Sequence, residues 1–356
     1  MRSSPFSLRG LLIGTALSLA VGLLAPYGIV FNYFWIGFNP SSPGALFFLF
    51  VLAFIVNSIV GLIGRRFELA KADLVLIYCM LLMAVTVPTW GLMFFLIGTM
   101  VYPFYYATPE NNYADLFYDY IPAWMVPQDY QAIKDYYEGL PQGAPIPWAV
   151  WIEPMGWWLA LIVAMSFMLI CMSAILHRQW SVHERLTYPM VQLPQNMIEK
   201  GEDARVAPFF KNKMMWLGFA VPVIVGTLVG LHAFFPFIPR IEITYEIPLF
   251  KQMYLSFATL GFFFLIQREV AFGLWVFTLL NHLQREIYET IGWGTETEAV
   301  ISAWSYGIPS LVHQGMGAMI VLVLGGLWVG REHLASVFRK AFKGDPRVCD
   351  DDEILS

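Results

Sequence analysis

The sequence predicts an all-α polytopic membrane bundle. About six full spans are expected, with one broken or re-entrant helical stretch and a small external loop of aromatic helices. Three observations lead there. Of 356 residues, 58% are apolar and only 13% charged, where a soluble domain carries about a quarter charged. Mean hydropathy is +0.60. Apolar runs of span length recur along the chain, and the charged residues gather between them. The net charge of −5 is small and unevenly placed, which argues against a nucleic-acid partner. Cys79, Cys171 and Cys349 have neither metal-ligand nor disulfide spacing.

The first run covers 11–30. Arg2 and Arg9 precede it, as in a signal peptide, but no small-residue cleavage site follows, so a retained helix is expected. The second run covers 44–63, and Arg65, Arg66 and Lys71 follow at once. By the positive-inside rule the N-terminus and this loop are cytoplasmic. The third run, 74–102, is too long for one upright span. Its centre reads Thr86-Val87-Pro88-Thr89-Trp90-Gly91. Proline removes a backbone donor there and clashes with the preceding turn, so either a kink or a discontinuous helix is expected.

Segment 103–149 carries six acidic residues against Lys134 alone, which places it outside. Thr108-Pro109-Glu110 reads as a helix start, and a second short helix is expected over 128–138, stopping at Gly139. Its many Tyr and Trp residues suit an aromatic belt at the headgroups, or a lid over an external vestibule. The fourth span is 150–176. Loop 177–213 holds six basic residues against four acidic ones and reads as cytoplasmic. His177, His183 and Glu184 lie in it, too loosely spaced for a metal expectation. The fifth span is 214–235, and IEITYEI at 241–247 alternates like a short strand. The last span is 311–329. Arg331, Arg339, Lys340, Lys343 and Arg347 follow it, so both termini are expected in the cytoplasm.

Stretch 253–283 is the chain's oddity. It is apolar for span length, yet Gln267, Arg268 and Glu269 interrupt it. Charge at a bilayer centre costs at least about 2.5–3.5 kcal/mol per residue, so a break facing protein or water is expected. Two readings fit: a tight turn holding a structural pair, or a substrate or ion site. In the second, Glu269 is a protonatable coupling group, Arg268 binds a carboxylate or neutralises Glu269, and Thr86, Thr89 and Trp90 line the opposite wall. Charge bias makes the stretch re-entrant. The order span, span, broken stretch occurs twice, however, which is the pattern of an inverted repeat and would make it cross.

The segment Glu184-Arg185-Leu186-Thr187-Tyr188-Pro189 resembles a short segment of oligopeptide-transporter-like proteins. The stretches PFYYATPENNYADLF (103–117), YYEGLPQGAPIPW (136–148), RQWSVHERLTYPMVQLP (178–194), EVAFGLW (269–275) and HQGMGAMIVLVLGGLW (313–328) resemble a family of uncharacterised bacterial polytopic membrane proteins. The Asn-Pro-Gly and Lys-Ile-Pro-Pro-Arg motifs of classical oligopeptide transporters are absent. The resemblance implies a protein that continues into further hydrophobic segments, so the chain is expected to be the N-terminal part of a longer or split protein.

The function expected is secondary transport of a small polar or anionic solute across a bacterial inner membrane. The alternative is a structural or accessory subunit of a larger membrane complex. No enzyme is expected, because no Ser/His, paired-Asp or His-Glu-x-x-His arrangement appears. No cofactor is expected either: His232, His282 and His313 all lie near span ends. The expected partners are the lipid bilayer and a second chain or larger complex completing the bundle.

Overall fold

The computed structural model describes residues 7–32, 43–88, 92–186, 188–200, 206–239, 244–245, 253–293 and 309–344. Its regular structure among the described residues is helical, save for one two-residue ladder. Among the described residues five helices are long and apolar enough to cross a membrane: Leu8–Tyr27, Pro43–Ile63, Arg65–Thr86, Trp148–His183 and Lys213–His232. A sixth is added if His313–Val329 and Arg331–Lys343, bent by 66° at Gly330, count as one span. The chain forms two compact units. One comprises Met1–Ser166 with Met190–Leu231, the other Phe167–Pro189 with His232–Ser356.

The first unit is built on α1 (Leu8–Asn32), α2 (Pro43–Phe50), α3 (Asn57–Ile63) and α4 (Lys71–Thr86). A π-helical turn, Val51–Val56, joins α2 to α3 without a break. On α4, Leu74, Ile77, Leu81 and Val85 recur at three- and four-residue spacing and are fully buried. They form the core with Leu49, Ala53 and Val21. Against this stripe α1 offers Gly10 and Gly14. A Cβ on Gly10 would meet the Asp73 carboxylate at 2.8 Å, and one on Gly14 would meet Met80 Sδ at 2.5 Å. Small residues four apart let two apolar helices approach closely, the device that membrane helices use where lipid removes the hydrophobic drive.

Polar side chains pin the same ends. Ser7 Oγ accepts from Gly10 N at 3.1 Å, capping α1, and donates to Asp73 Oδ1 at 2.6 Å. Asp73 Oδ2 accepts from Ala70 N at 3.2 Å, one half of a capping box for α4. Buried Asn57 spans the α3–α4 turn, with its Nδ2 donating to Leu69 O and its Oδ1 accepting from Leu69 N. Arg9 donates to the carbonyls of Phe67 and Glu68. Glu68 pairs with Lys200 at 3.1 Å, both side chains 17% exposed.

The helices α9 (Pro189–Ile198) and α10 (Pro208–Lys211) lie in the segment read as a loop over 177–213. They cover one end of this core with Met197, Ile198 and Phe210. Phe54 stacks on Phe210 at 4.8 Å, which ties the π turn to α10, and Phe50 stacks on Phe219 at 5.5 Å, which ties α2 to α11 (Lys213–Phe234).

A second core gathers α5 (Met93–Tyr105), α7 (Tyr130–Glu138) and the start of α8 (Trp148–Arg178) around Leu96, Met100, Val101, Val126 and Ile133. Asp129 caps α7 by accepting from Gln131 N, and Gly139 follows it at φ +89°, a conformation suited to glycine. The helix expected to start at Thr108 instead begins as α6 (Tyr113–Phe117). Asn111 Oδ1 accepts from Thr108 N at 3.0 Å and closes a turn there. Asn112, at φ +50°, keeps that turn from running into the helix.

In the second unit, β1 (Thr244–Tyr245) pairs antiparallel with β2 (Met253–Tyr254). The rest of the expected 241–247 strand lies outside the described residues. Next come α12 (Phe257–Leu265), α13 (Arg268–Ile291), α14 (Pro309–Val329) and α15 (Arg331–Lys343). The C-terminal half of α8 continues in this unit into a π turn, Gln179–His183.

Two substitutions test this frame by thermal melting in detergent. Gly14→Leu drives a side chain into Met80 and should cost about 1–3 kcal/mol by overpacking, whereas Gly22→Leu meets nothing within 4 Å and should leave the midpoint nearly unchanged. Lys200→Met strands the largely buried Glu68 carboxylate and should cost about 1–3 kcal/mol, less than a fully buried pair, and adding Glu68→Gln should recover most of it.

Candidate functional site

Both interruptions read from the sequence coincide with gaps between helices. The first lies between α4 and α5. Thr86 Oγ1 donates back to Leu82 O at 2.7 Å, and Val87 N makes the last regular bond, to Met83 O at 3.0 Å. Pro88 has no N–H to continue the ladder. The chain re-enters helix with Met93 N bonded to Val87 O and Leu96 N to Leu92 O. Thr89 and Trp90 lie outside the described residues.

The second interruption lies between α12 and α13. Ile266 is extended at ψ 149°, and Gln267 is the N-cap of α13 at ψ 137° without a side-chain cap. Ala271 N bonds Gln267 O at 3.0 Å, so Gln267 supplies the helix with its carbonyl. Arg268 and Glu269 occupy the first turn. Glu269 suits the positive end of the helix dipole and Arg268 does not. Neighbouring positions diverge by about 100°, and among the described residues the two form no ion pair with each other. The sequence reading has them facing protein or a water-filled cavity. In the structure Gln267, Arg268 and Glu269 are all exposed. The helix boundary falls before Arg268 rather than between the two charges, so both project from one helix start. Thr86 belongs to the first unit and residues 267–269 to the second.

A further feature of the first unit was only half legible. A cavity of about 290 Å³ lies between α7, α5 and the start of α8. Ile97, Ala132 and Met155 line its apolar side, with Leu140, Ile146 and Pro147 contributed by the approach to α8. Tyr136, Trp148 and Trp151 supply aromatic walls, and Asp135 the only charge. The rings of Tyr136 and Trp151 lie 6.0 Å apart with planes at 50°. Burial pushes the Tyr136 phenol above its ordinary range. The neighbouring wall is braced by Tyr105 stacked on Tyr137 at 4.2 Å and by Trp158 Nε1 donating to Met125 O at 3.0 Å. The tyrosines of this segment stand out in the sequence. The Trp148/Trp151 pair, spaced i and i+3 at a helix start after Pro147, was the signal available for the cavity.

In the second unit, His183 and His333 have ring centres 6.2 Å apart. His333 Nε2 is engaged with Ile175 O at 2.8 Å, and Glu184 accepts from Gln179. Among the described residues no three His, Cys, Asp or Glu side chains gather as metal ligands would.

No curated protein and no solved structure matches the chain. A family model does, over residues 1–356, and in its coarse form it agrees with the resemblance to an uncharacterised family. On that match the protein belongs to a family of unknown function, DUF6785.

Proposed function

We propose that this protein is a secondary transporter moving a small polar or anionic solute across an inner membrane. The observation that carries the reading is the pair of interruptions, one after α4 ends at Thr86 and one at 266–267, each set in an apolar helical stretch. Irregular backbone is costly at membrane depth unless it lines a cavity or is buried in protein, and transporters place it at their binding sites. Thr86, Thr89 and Trp90 at the first interruption and Gln267, Arg268 and Glu269 at the second are the proposed contacts. Glu269 is the coupling carboxylate, and Arg268 the partner for an anionic group. The likeness of 184–189 to oligopeptide-transporter-like proteins supports the class. The absent Asn-Pro-Gly motif separates the substrate from peptides.

A second reading, an accessory subunit of a larger complex, is favoured by one observation. The most apolar stretches of α8 and α11 have none of their residues buried within the chain. Lipid would cover them in a lone transporter, and neighbouring subunits in a complex.

Uptake into proteoliposomes separates the two. With an imposed proton gradient, the wild-type chain should accumulate a small anionic solute from a screened mixture. Glu269→Gln should abolish that uptake while leaving the melting temperature within a few degrees. No uptake of any solute by the chain alone would favour the subunit reading. Orientation is checked separately. Positive-residue bias places α15 inside, so a Cys in place of Lys340 should resist an impermeant external thiol reagent in intact cells. Labelling there would revive the inverted-repeat topology.

A further inference from the structure

We propose that the cavity between α7 and the start of α8 binds an organic cation, an alkylammonium group held by Trp148, Trp151, Tyr136 and Asp135. The inference is independent of the transport reading, since it concerns equilibrium binding alone. Three features carry it. Aromatic faces are negative at their centres and attract cations, most strongly quaternary ammonium groups enclosed by several rings. Here two of the rings, Tyr136 and Trp151, meet at 50° and form a corner rather than a flat stack. The one charged residue lining the space is a carboxylate. Asp135 accepts from the neutral amide of Gln131 at 2.7 Å. The adjacent ammonium of Lys134 is 3.7 Å from Glu138 instead, and does not line the cavity. No arginine or lysine lines it, which disfavours an anion.

The remaining surface is apolar, as the methyl and methylene groups of an alkylammonium require. Ile97 and Met155 are part of it. The volume of about 290 Å³ stands at the small end of ligand sites. Trp148 is 65% exposed, so one wall can move without disturbing the core. The segment around the cavity holds six acidic residues against one lysine, a field that concentrates cations at its mouth. A purely apolar ligand would leave Asp135 unexplained.

An alkylammonium group can arrive as a free amine or as the choline headgroup of a lipid, and the test separates these sources. The full chain is placed in nanodiscs of phosphatidylglycerol alone and titrated with choline chloride, read by calorimetry and tryptophan fluorescence. Saturable binding is expected. Asp135→Asn and Trp151→Leu should each weaken it about tenfold, and Trp151→Phe should weaken it less. The neutral isostere 3,3-dimethylbutanol should bind about tenfold more weakly to the wild-type chain, a comparison that needs no variant to fold. Repeating the titration in phosphatidylcholine nanodiscs assigns the source. A weakened apparent affinity shows that the lipid headgroup competes for the cavity, and an unchanged one shows a site for free cations. Absence of saturable choline binding in phosphatidylglycerol, equal binding of the neutral isostere, or wild-type affinity in Asp135→Asn would overturn the proposal.

Discussion

The close approach of α1 to α4 is the constraint on which the first unit rests. Between helices surrounded by lipid, apolar contact gains little over contact with acyl chains, so packing must come from shape and from polar groups with no better partner. Gly10 and Gly14 supply the shape: a β-carbon on Gly10 would press on Asp73 down to its backbone, and one on Gly14 would have to displace the Met80 thioether. Asp73 supplies the polar part. Its carboxylate takes the Ser7 hydroxyl with one oxygen and the Ala70 amide with the other, so a single residue fixes the start of both helices. With that edge set, Leu74, Ile77, Leu81 and Val85 present one stripe to the core. Asn57, Arg9 and the Glu68–Lys200 pair then lock the surrounding turns.

The two units use their polar residues differently. In the first, two buried polar residues are paired across elements. Asp73 at 5% exposure and Asn57 at 1% both find partners distant in sequence. In the second, Gln267, Arg268 and Glu269 stand exposed at a helix start. Buried, paired groups of the first kind hold a fold together. The exposed charges of the second kind are the contacts named in the proposed transport function, whose ground is the interruption at which they sit.

Much of the fold was legible because its signals are chemically loud. Apolar runs of about twenty residues announce spans. Pro88 forbids a helix bond, and Arg268-Glu269 in an apolar run announces a break. Gly139 closes α7 where a glycine is expected. Quieter signals were missed. Gly10 and Gly14 sit inside an ordinary apolar run, and the partner helix they touch lies some sixty residues on. The π turn at 51–56 contains neither Gly nor Pro, so nothing local marks it. Thr108-Pro109 satisfied the rule for a helix start, and Thr108 and Asn111 do cap each other reciprocally, but left-handed Asn112 ends the turn after one round. The cavity needs Ile97, Asp135 and Trp151 together. That juxtaposition is set by three elements, and no window of sequence contains it. For the functional residues, the sequence located the interruptions but not the direction in which Arg268 and Glu269 point. That direction depends on a one-residue choice of helix boundary.

The π turn has a consequence of phase. Each residue of an α-helix advances the side chains by about 100°, and a π turn accommodates one extra residue without interrupting the rod. Every position after it is therefore rotated relative to every position before it. Phe50 and Phe54, at the entry to and within the turn, reach Phe210, Trp216 and Phe219, and Asn57, just beyond it, reaches Leu69. In a regular helix of the same length those two sets would not both find their partners. Removing the residue accommodated between 51 and 56 would heal the helix and leave the Asn57 amide at its present angle, whereas straightening the turn with all its residues kept would swing that amide by about a third of a turn, away from Leu69. The irregularity thus works as an indexing step, setting the aromatic contacts and the buried amide on one rod at two different angles.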